Sequence, residues 1–310
     1  MKSNISLQSF ISPYTIERPV DWAGHFPAAQ PLDVEIGFGN GDFLARTAQN
    51  QPTRNFVGIE QKWERIYKTL KKINRSEVNN VRVLLIDAWV AFERLFLPQS
   101  IEHIYCLFPC PWPKKEHLKH RLFSQAFLQL TNSRLKPNGQ MTIVTDHQPY
   151  YEWISQQLPE TGFSAEGKTI AAHYGTKYER KWVEQGQRHF FELHLIKKGH
   201  WEIPAKEDVT LQPYFIDTFA MDRPIFENVI GPTTIIFKEW ITDAGQRKAM
   251  IHLVVAEEKL TQHLWVAIFP VDKQWCIAPA LGQNFIPSSG IAEALKVVYQ
   301  LCQRSCGSEE

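Results

Sequence analysis

The sequence predicts an α/β protein with a mostly parallel sheet, followed by a smaller C-terminal α+β domain. Three observations lead there. Between residues 33 and 197, short apolar runs of strand length alternate with helical stretches, the pattern of a parallel sheet covered on both faces. After Lys197 the alternation stops, and strand-like runs follow one another before a closing helix. The charge divides near the same place. Residues 1–200 hold 25 Lys and Arg against 19 Asp and Glu, a net of +6, whereas residues 201–310 hold 9 against 14, a net of −5. The expected organisation is an N-terminal arm over 1–30, a first domain over 31–200 and an accessory domain over 205–310, with Lys198-Gly199-His200 and Pro204 marking the linker.

The arm is expected because Pro13, Pro19, Pro27 and Pro31 interrupt any regular element. Strands follow at Asp33–Phe38, Asn55–Glu60, Val81–Asp87, Ile101–Phe108, Gln140–Thr145 and Arg188–Lys197. Helices fill the intervals at Asp42–Gln49, Gln61–Arg75, Ala88–Leu97, Arg121–Leu135 and Tyr150–Leu158. In the second of these, Trp63, Ile66, Tyr67, Leu70 and Ile73 form an apolar stripe at i, i+3, i+4, i+7 spacing, with Lys62, Arg65, Lys68 and Lys72 on another, solvated face. Beyond the linker, strands are expected at Thr233–Thr242, Ala249–Ala256 and Leu264–Val271 and a helix at Ile291–Arg304.

With 44% apolar and 22% charged residues the chain has a folded protein's composition. No apolar run approaches the roughly 18–20 residues of a membrane span, and residues 1–19 lack the apolar core of a signal peptide. Five cysteines without a C-x-x-C pair suggest neither a disulfide framework nor a zinc cluster, and so a reduced, cytoplasmic protein without a metal. The basic first part is where a polyanion would bind.

Chemistry concentrates at the carboxyl ends of the expected strands. Glu35-Ile-Gly37-Phe-Gly39-Asn-Gly41-Asp42 joins the first strand to the first helix, and its three alternate glycines permit a tight turn and close approach to a ligand. Glu60 ends the second strand, where an acid accepts hydrogen bonds from ribose hydroxyls. The spacing is G-x-G-x-G rather than the dinucleotide G-x-G-x-x-G, and Glu35 and Asp42 place negative charge where a pyrophosphate would not want it. Carboxylates suit a ligand with a sulfonium and a free ammonium, which points to S-adenosyl-L-methionine. Asp87, with Ala88 after the third strand, suits an adenine amino group and equally a helix N-cap. The fourth strand runs into Phe108-Pro109-Cys110-Pro111-Trp112-Pro113-Lys114-Lys115, a rigid turn whose aromatic ring among cations suits a splayed-out nucleobase.

These motifs, with Gly58-Ile59-Glu60, Asn80, Thr145-Asp146 and Thr176-Lys177-Tyr178-Glu179, resemble the bacterial tRNA (guanine-N7)-methyltransferases over about residues 30–198. The resemblance implies a Rossmann-like methyltransferase fold, S-adenosyl-L-methionine as donor and guanine 46 of the tRNA variable loop as target. It implies cofactor contacts from Glu35, Glu60 and Asp87 around the glycine loop, and substrate contacts from Lys114, Asp146 and Thr176 through Glu179. The family's catalytic Asp, in Phe-Pro-Asp-Pro-Trp-Pro-Lys, is replaced here by Cys110. Two other functions fit that cysteine: a cytosine-C5 RNA methyltransferase in which the Cys110 thiolate adds to the base, and a tRNA- or cofactor-binding homologue with impaired catalysis.

Overall fold

In the computed structural model, which describes residues 5–221, 226–245 and 247–306, strand β1 (Phe10–Ile11) lies inside the segment expected as an arm. It pairs in parallel with a strand of the central sheet. Val20, Trp22 and Phe26 are buried, and the Trp22 indole donates to the Leu95 carbonyl at 3.1 Å. The prolines exclude long elements here but not packing. Apolar side chains between them find the sheet edge.

The chain divides into two compact units, Met1–Lys206 and Glu207–Glu310. In the first, the elements after β1 are β2 (Leu32–Ile36), α1 (Asp42–Asn50), β3 (Asn55–Glu60), α2 (Trp63–Ser76), β4 (Val81–Leu85) and α3 (Ala88–Arg94). They continue with β5 (Ile101–Leu107), α4 (Gln125–Arg134), β6 (Leu135–Thr145), α5 (Gln148–Gln156), β7 (Phe163–Ile170), α6 (Lys177–Glu184) and β8 (Phe190–Lys197). They build an eight-stranded sheet in the order β1-β4-β3-β2-β5-β6-β8-β7. Its neighbours are parallel except that β8 runs against both β6 and β7. The strand order turns back at β2, which has β3 on one side and β5 on the other. In such sheets that switch point opens a crevice beyond the carboxyl ends of the strands.

The core follows from the sequence. Every residue of β2 and β3 is buried, as strands covered on both faces require. On α2 the buried face is Ile66, Thr69, Leu70 and Ile73, while Trp63 and Tyr67 stay 46% and 43% exposed. The stripe is narrower than the spacing alone suggests. Thr69 takes the inward place because it meets the glycine loop, and Trp63 instead packs edge-on against Phe10 at 5.2 Å.

Two elements of this unit escaped the apolar pattern. Strand β7 is an exposed edge strand carrying Ser164, Glu166, Gly167 and Lys168, and α6 is a short polar helix with only Glu179 buried. The helix expected over Arg121–Leu135 is shorter, because Arg121 is extended backbone that closes the 3₁₀ turn over residues 115–120 and Ser124 caps the helix proper through the Phe127 amide. Residues 198–204, expected as linker, are bound to the first unit. Lys198 and Gly199 amides donate to the Gly162 carbonyl, and the buried Arg134 guanidinium donates to the Ile203 and Pro204 carbonyls.

The second unit comprises β9 (Tyr214–Ile216), β10 (Thr233–Asp243), β11 (Lys248–Glu257), β12 (Leu260–Val271), β13 (Gln274–Pro279) and α7 (Ser289–Cys306). Its antiparallel sheet has the order β10-β11-β12-β13-β9. Inward residues at alternate positions, Ile251, Leu253 and Val255 with Leu264, Val266 and Ile268, share a core with Ile291, Leu295 and Val298 of α7. This is the small α+β architecture expected, with β9 and β13 added. Among the described residues no helix is long and apolar enough to cross a membrane, and no group of His, Cys, Asp or Glu is arranged to hold a metal ion.

Candidate active site

The glycine loop leaves β2 at the switch point. Gly37, Gly39 and Gly41 all take left-handed backbone angles, with φ of +69°, +57° and +69°. That conformation is open to glycine at little cost and strained for other residues. Gly41 is doubly constrained, since a Cβ there would overlap the Thr69 side chain. The Gly37 amide donates to the Ile59 carbonyl at 2.8 Å and the Gly39 amide to Glu60 Oε2 at 3.2 Å, so the loop is pinned across the end of β3.

Glu35 lies beneath this loop. It is buried and its Oε2 has no hydrogen-bond partner among the described residues. Burial pushes its carboxyl up to about 8, with the Arg46 charge opposing and Asp42 and Glu60 reinforcing the rise. An unpartnered buried acid is costly unless something completes it. Here the natural complement is a cationic group entering from the cleft. That cleft, about 220 Å³, is lined by Glu35, Gly37, Gly39, Phe43, Leu107 and Tyr178, among others.

Glu60 is engaged on both oxygens. Oε1 accepts the Gln61 and Lys62 amides at 2.9 and 3.2 Å, and Oε2 accepts Gly39 and the Arg65 guanidinium at 3.0 Å. Arg65 also donates to the Tyr178 hydroxyl at 3.1 Å, so one side chain joins β3 to α6. Asp87 caps α3, its Oδ1 accepting the Trp89 and Val90 amides at 2.8 and 3.3 Å, while Oδ2 accepts the Gln61 amide group. The cap reading of Asp87 is therefore realised, and one oxygen still faces the Gln61 side. Ala88 is buried as the first residue of α3.

Register places the proline turn on the same rim. Ile36 pairs with Cys106 across the β2–β5 ladder, so the chain after Leu107 emerges beside the glycine loop. Phe108 and Trp112 bracket the turn with φ of +60° and +44°. Two non-glycine residues in the left-handed region cost about 1–2 kcal/mol each, and such strain clusters where a turn must hold one shape for function. Arg121 fixes it from behind. Its Nε donates to the Pro111 carbonyl at 2.9 Å, and its guanidinium lies over the Tyr150 and Trp153 rings. Trp112 meets the rings of His117 and His120 at 5.6 and 5.2 Å. Cys110 and Lys114 are exposed, and neither lines the cleft. Asp146 follows β6, with its carboxyl raised by burial.

Thr176, Lys177 and Tyr178 cover the cleft from the start of α6. Thr176 caps that helix through the Glu179 amide at 3.1 Å, and Glu179 reaches back to the His173, Tyr174 and Gly175 amides. The Thr176 half is that of a capping box, but Glu179 reaches past the cap residue to the three amides before it. Glu179 is 2% exposed, so it shapes the segment from inside rather than facing solvent. Asp42 accepts from Arg180 at 2.8 Å and also pairs with Lys72.

At one cleft the structure brings together Glu35, Gly37, Gly39, Thr176, Lys177 and Tyr178, whereas Gly41, Glu60, Asp87, Ala88, Cys110, Lys114, Asp146 and Glu179 do not line it. The sequence pattern missed Phe43, Arg46 and Arg65. Arg46 sits one helical turn after Asp42, a spacing that shows in the sequence. Arg65 stood among the cations of the solvated α2 face, but Lys62, Arg65 and Lys68 all line the cleft.

Comparison with known proteins agrees with this geometry. The model of a family described as putative methyltransferases matches residues 29–192. A tRNA (guanine-N(7)-)-methyltransferase of Chlorobium phaeobacteroides is 44% identical over 174 residues, covering 56% of this chain and 85% of that protein. One from Thermotoga maritima is 37% identical over 179 residues, with 56% of each chain covered. One from Aquifex aeolicus is 27% identical over 277 residues, covering 87% of this chain and 93% of that protein, and so reaches beyond Lys206.

Proposed function

The chain belongs to the family of tRNA (guanine-N7)-methyltransferases, and on that premise we propose that it transfers a methyl group from S-adenosyl-L-methionine to N7 of guanine 46 in the tRNA variable loop. The observation that carries the reading is the unpaired, buried Glu35 carboxyl under a left-handed glycine loop, in the same cleft as Thr176 and Tyr178. A tRNA substrate makes the cytoplasm its place of work.

When bound, S-adenosyl-L-methionine supplies an electrophilic methyl group on a positively charged sulfur. Glu35 takes the donor's ammonium. Gly37 and Gly39 let the backbone lie close to it, and Glu60 would accept from the ribose hydroxyls in exchange for one of its four present donors, of which the Arg65 guanidinium is a side chain able to turn away. Asp87, through the oxygen that faces Gln61, and the Gln61 amide would receive the adenine edge. Guanine N7 carries a lone pair at neutral pH, so no base has to remove a proton. Transfer of that methyl to N7 would leave the positive charge on the purine. What the protein must do is align N7, the methyl carbon and the sulfur and tolerate a cationic base. Asp146, a carboxyl on the rim, is suited to grip the N1–H and N2–H edge of guanine, a pattern adenine lacks. Lys114 and Lys177 meet the RNA backbone.

Cys110 supplies no carboxylate where the family has one, which slows the reaction without preventing it, since alignment does most of the work. The test is purified protein with labelled S-adenosyl-L-methionine and tRNA lacking N7-methylguanine. Label in tRNA and strand scission at one guanine after borohydride and aniline are expected. Cofactor binding with no methylated guanine at high enzyme concentration leaves a binding homologue, and a covalent adduct with 5-fluorocytosine RNA selects the cytosine-C5 reading.

A further inference from the structure

On α2 the helical repeat separates two kinds of side chain that the sequence mixes. At about 100° per residue, Ile66, Leu70 and Ile73 point into the unit, Arg65 and Lys68 fall on the flank that borders the cleft, and Trp63 and Tyr67 fall on the other flank. Lys71 and Arg75 lie exposed along the crest between the two. Crossing that crest takes about 10 Å, the width of a helix.

The two rings are 46% and 43% exposed, and at i, i+4 spacing they stand about 6 Å apart along the axis. Neither hangs loose. Trp63 meets Phe10 edge-on at 5.2 Å, and the Lys71 ammonium lies 4.5 Å from the centre of the Tyr67 ring. Asn74, on the same flank, donates to the Ser6 carbonyl at 3.2 Å, so residues 6–10 brace this side of the helix. The charge around the rings is nearly all of one sign. Residues 62–75 hold six Lys and Arg against one Glu. Aromatic rings open to solvent among cations are what the stacking of unpaired nucleobases requires, with ammonium groups for their phosphates.

We propose that the Trp63–Tyr67 flank of α2 is a second RNA contact, where unpaired bases of the tRNA stack outside the methyl-transfer cleft while Lys71 holds the adjoining phosphate. This rests on the function proposed above, because the partner is the same tRNA. Lys68 and Lys71 then carry the strand over the crest, from the cleft to the rings. The stacked bases add affinity and take no part in the chemistry.

The experiment uses the full chain. Tyr67→Leu should weaken binding of a tRNA transcript at least about five-fold, the lower end of what one base stacked on an aromatic ring contributes. It should raise KM for tRNA and leave kcat and S-adenosylhomocysteine affinity unchanged. Tyr67→Phe keeps a ring and should bind as the wild type does. Trp63→Leu should behave as Tyr67→Leu does, with its thermal midpoint read alongside because Trp63 also packs on Phe10. Stacking is not ionic, so Tyr67→Leu should keep the wild-type slope of log Kd against log salt, whereas Lys71→Ala should lower it by about 0.7–0.9. A blunt RNA duplex offers no unpaired base, and it should bind the wild type and Tyr67→Leu equally. Unchanged tRNA affinity in Tyr67→Leu, an equal loss on the duplex, or a wild-type salt slope in Lys71→Ala overturns the inference. Methyl transfer to tRNA by the wild-type protein is assayed in parallel. Transfer with wild-type tRNA affinity in Tyr67→Leu sinks the second contact alone, whereas no transfer sinks the function reading beneath it.

Discussion

The Glu35 carboxyl is buried with one oxygen unpaired, and its titration follows from that position. The unfolded chain releases this proton near 4.5, and the folded, ligand-free protein near 8. Between those values folding takes up a proton, so stability falls as pH rises through the window and levels off above it. Glu35→Gln removes that slope, and urea midpoints at pH 5 and pH 8 should differ less for the variant than for the wild type. Binding runs the opposite way. A cationic ligand needs the ionised carboxylate, so affinity for S-adenosylhomocysteine should rise with pH towards about 8 in the wild type. Loss of the charge-assisted hydrogen bond costs about 1.5–3 kcal/mol, so Glu35→Gln should weaken binding roughly ten- to hundred-fold and flatten its pH dependence. Calorimetric titration reads both. At Cys110 the change goes the other way. A carboxylate restored on the rim would stabilise the charge that develops on the purine, and one such group is typically worth about 10²–10³ in rate. Cys110→Asp should therefore raise kcat at least about ten-fold while leaving the affinity for S-adenosylhomocysteine unchanged.

Helix α6 shows what an element without an apolar face depends on. Only Glu179 of its eight residues is buried, and it holds the preceding loop through three backbone amides. Glu179→Ala should free residues 171–184 without unfolding the sheet. Limited proteolysis within that segment and a raised KM for tRNA, with S-adenosylhomocysteine affinity close to wild type, are the expected results. The element also marks how far the sequence could be read. Strands β2 to β6 were legible because burial on both faces demands continuous apolar runs, and the switch-point site followed from Glu35, the glycines and Glu60. Strand β7 and α6 were not, because an exposed edge and a polar helix carry no periodic apolar signal. Arg46 and Arg65 were hidden for a related reason. A cation on a helix surface reads as solvated until the fold shows what lies across from it. On α2 that matters for binding, since Lys62 and Lys68 line the cleft. If they meet phosphates, replacing both by Ala should lower the slope of log Kd against log salt by about 0.7–0.9 per lysine, with little change in S-adenosylhomocysteine binding.

The boundary between the units falls later than the sequence suggests, and the reason is a buried cation. Arg134 is fully buried and donates to the Phe92 carbonyl at 2.7 Å, to Ile203 at 2.5 Å and to Pro204 at 3.1 Å. Burial pulls its guanidinium down to about 10, yet it stays charged at neutral pH. Residues 199–206 add further ties to the first unit. Asn132 exchanges hydrogen bonds with Gly199 and Trp201 at 3.0 Å each, and Lys206 pairs with Glu93. A chain ending at Lys198, where Gly199-His200 suggests a linker, would strip the guanidinium of two carbonyl partners inside the core. A buried charge that loses its partners costs about 3–5 kcal/mol, which corresponds to roughly 10 °C in Tm for a unit of this size. A chain ending at Lys206 keeps every one of these contacts. The two truncations differ by eight residues, and their thermal midpoints should differ by about that amount. Equal midpoints would mean that Arg134 does not anchor the segment, and that the division belongs at Lys198 after all. The net positive charge lies in the first 200 residues, so the chain ending at Lys206 should also keep the salt dependence of the full protein for tRNA.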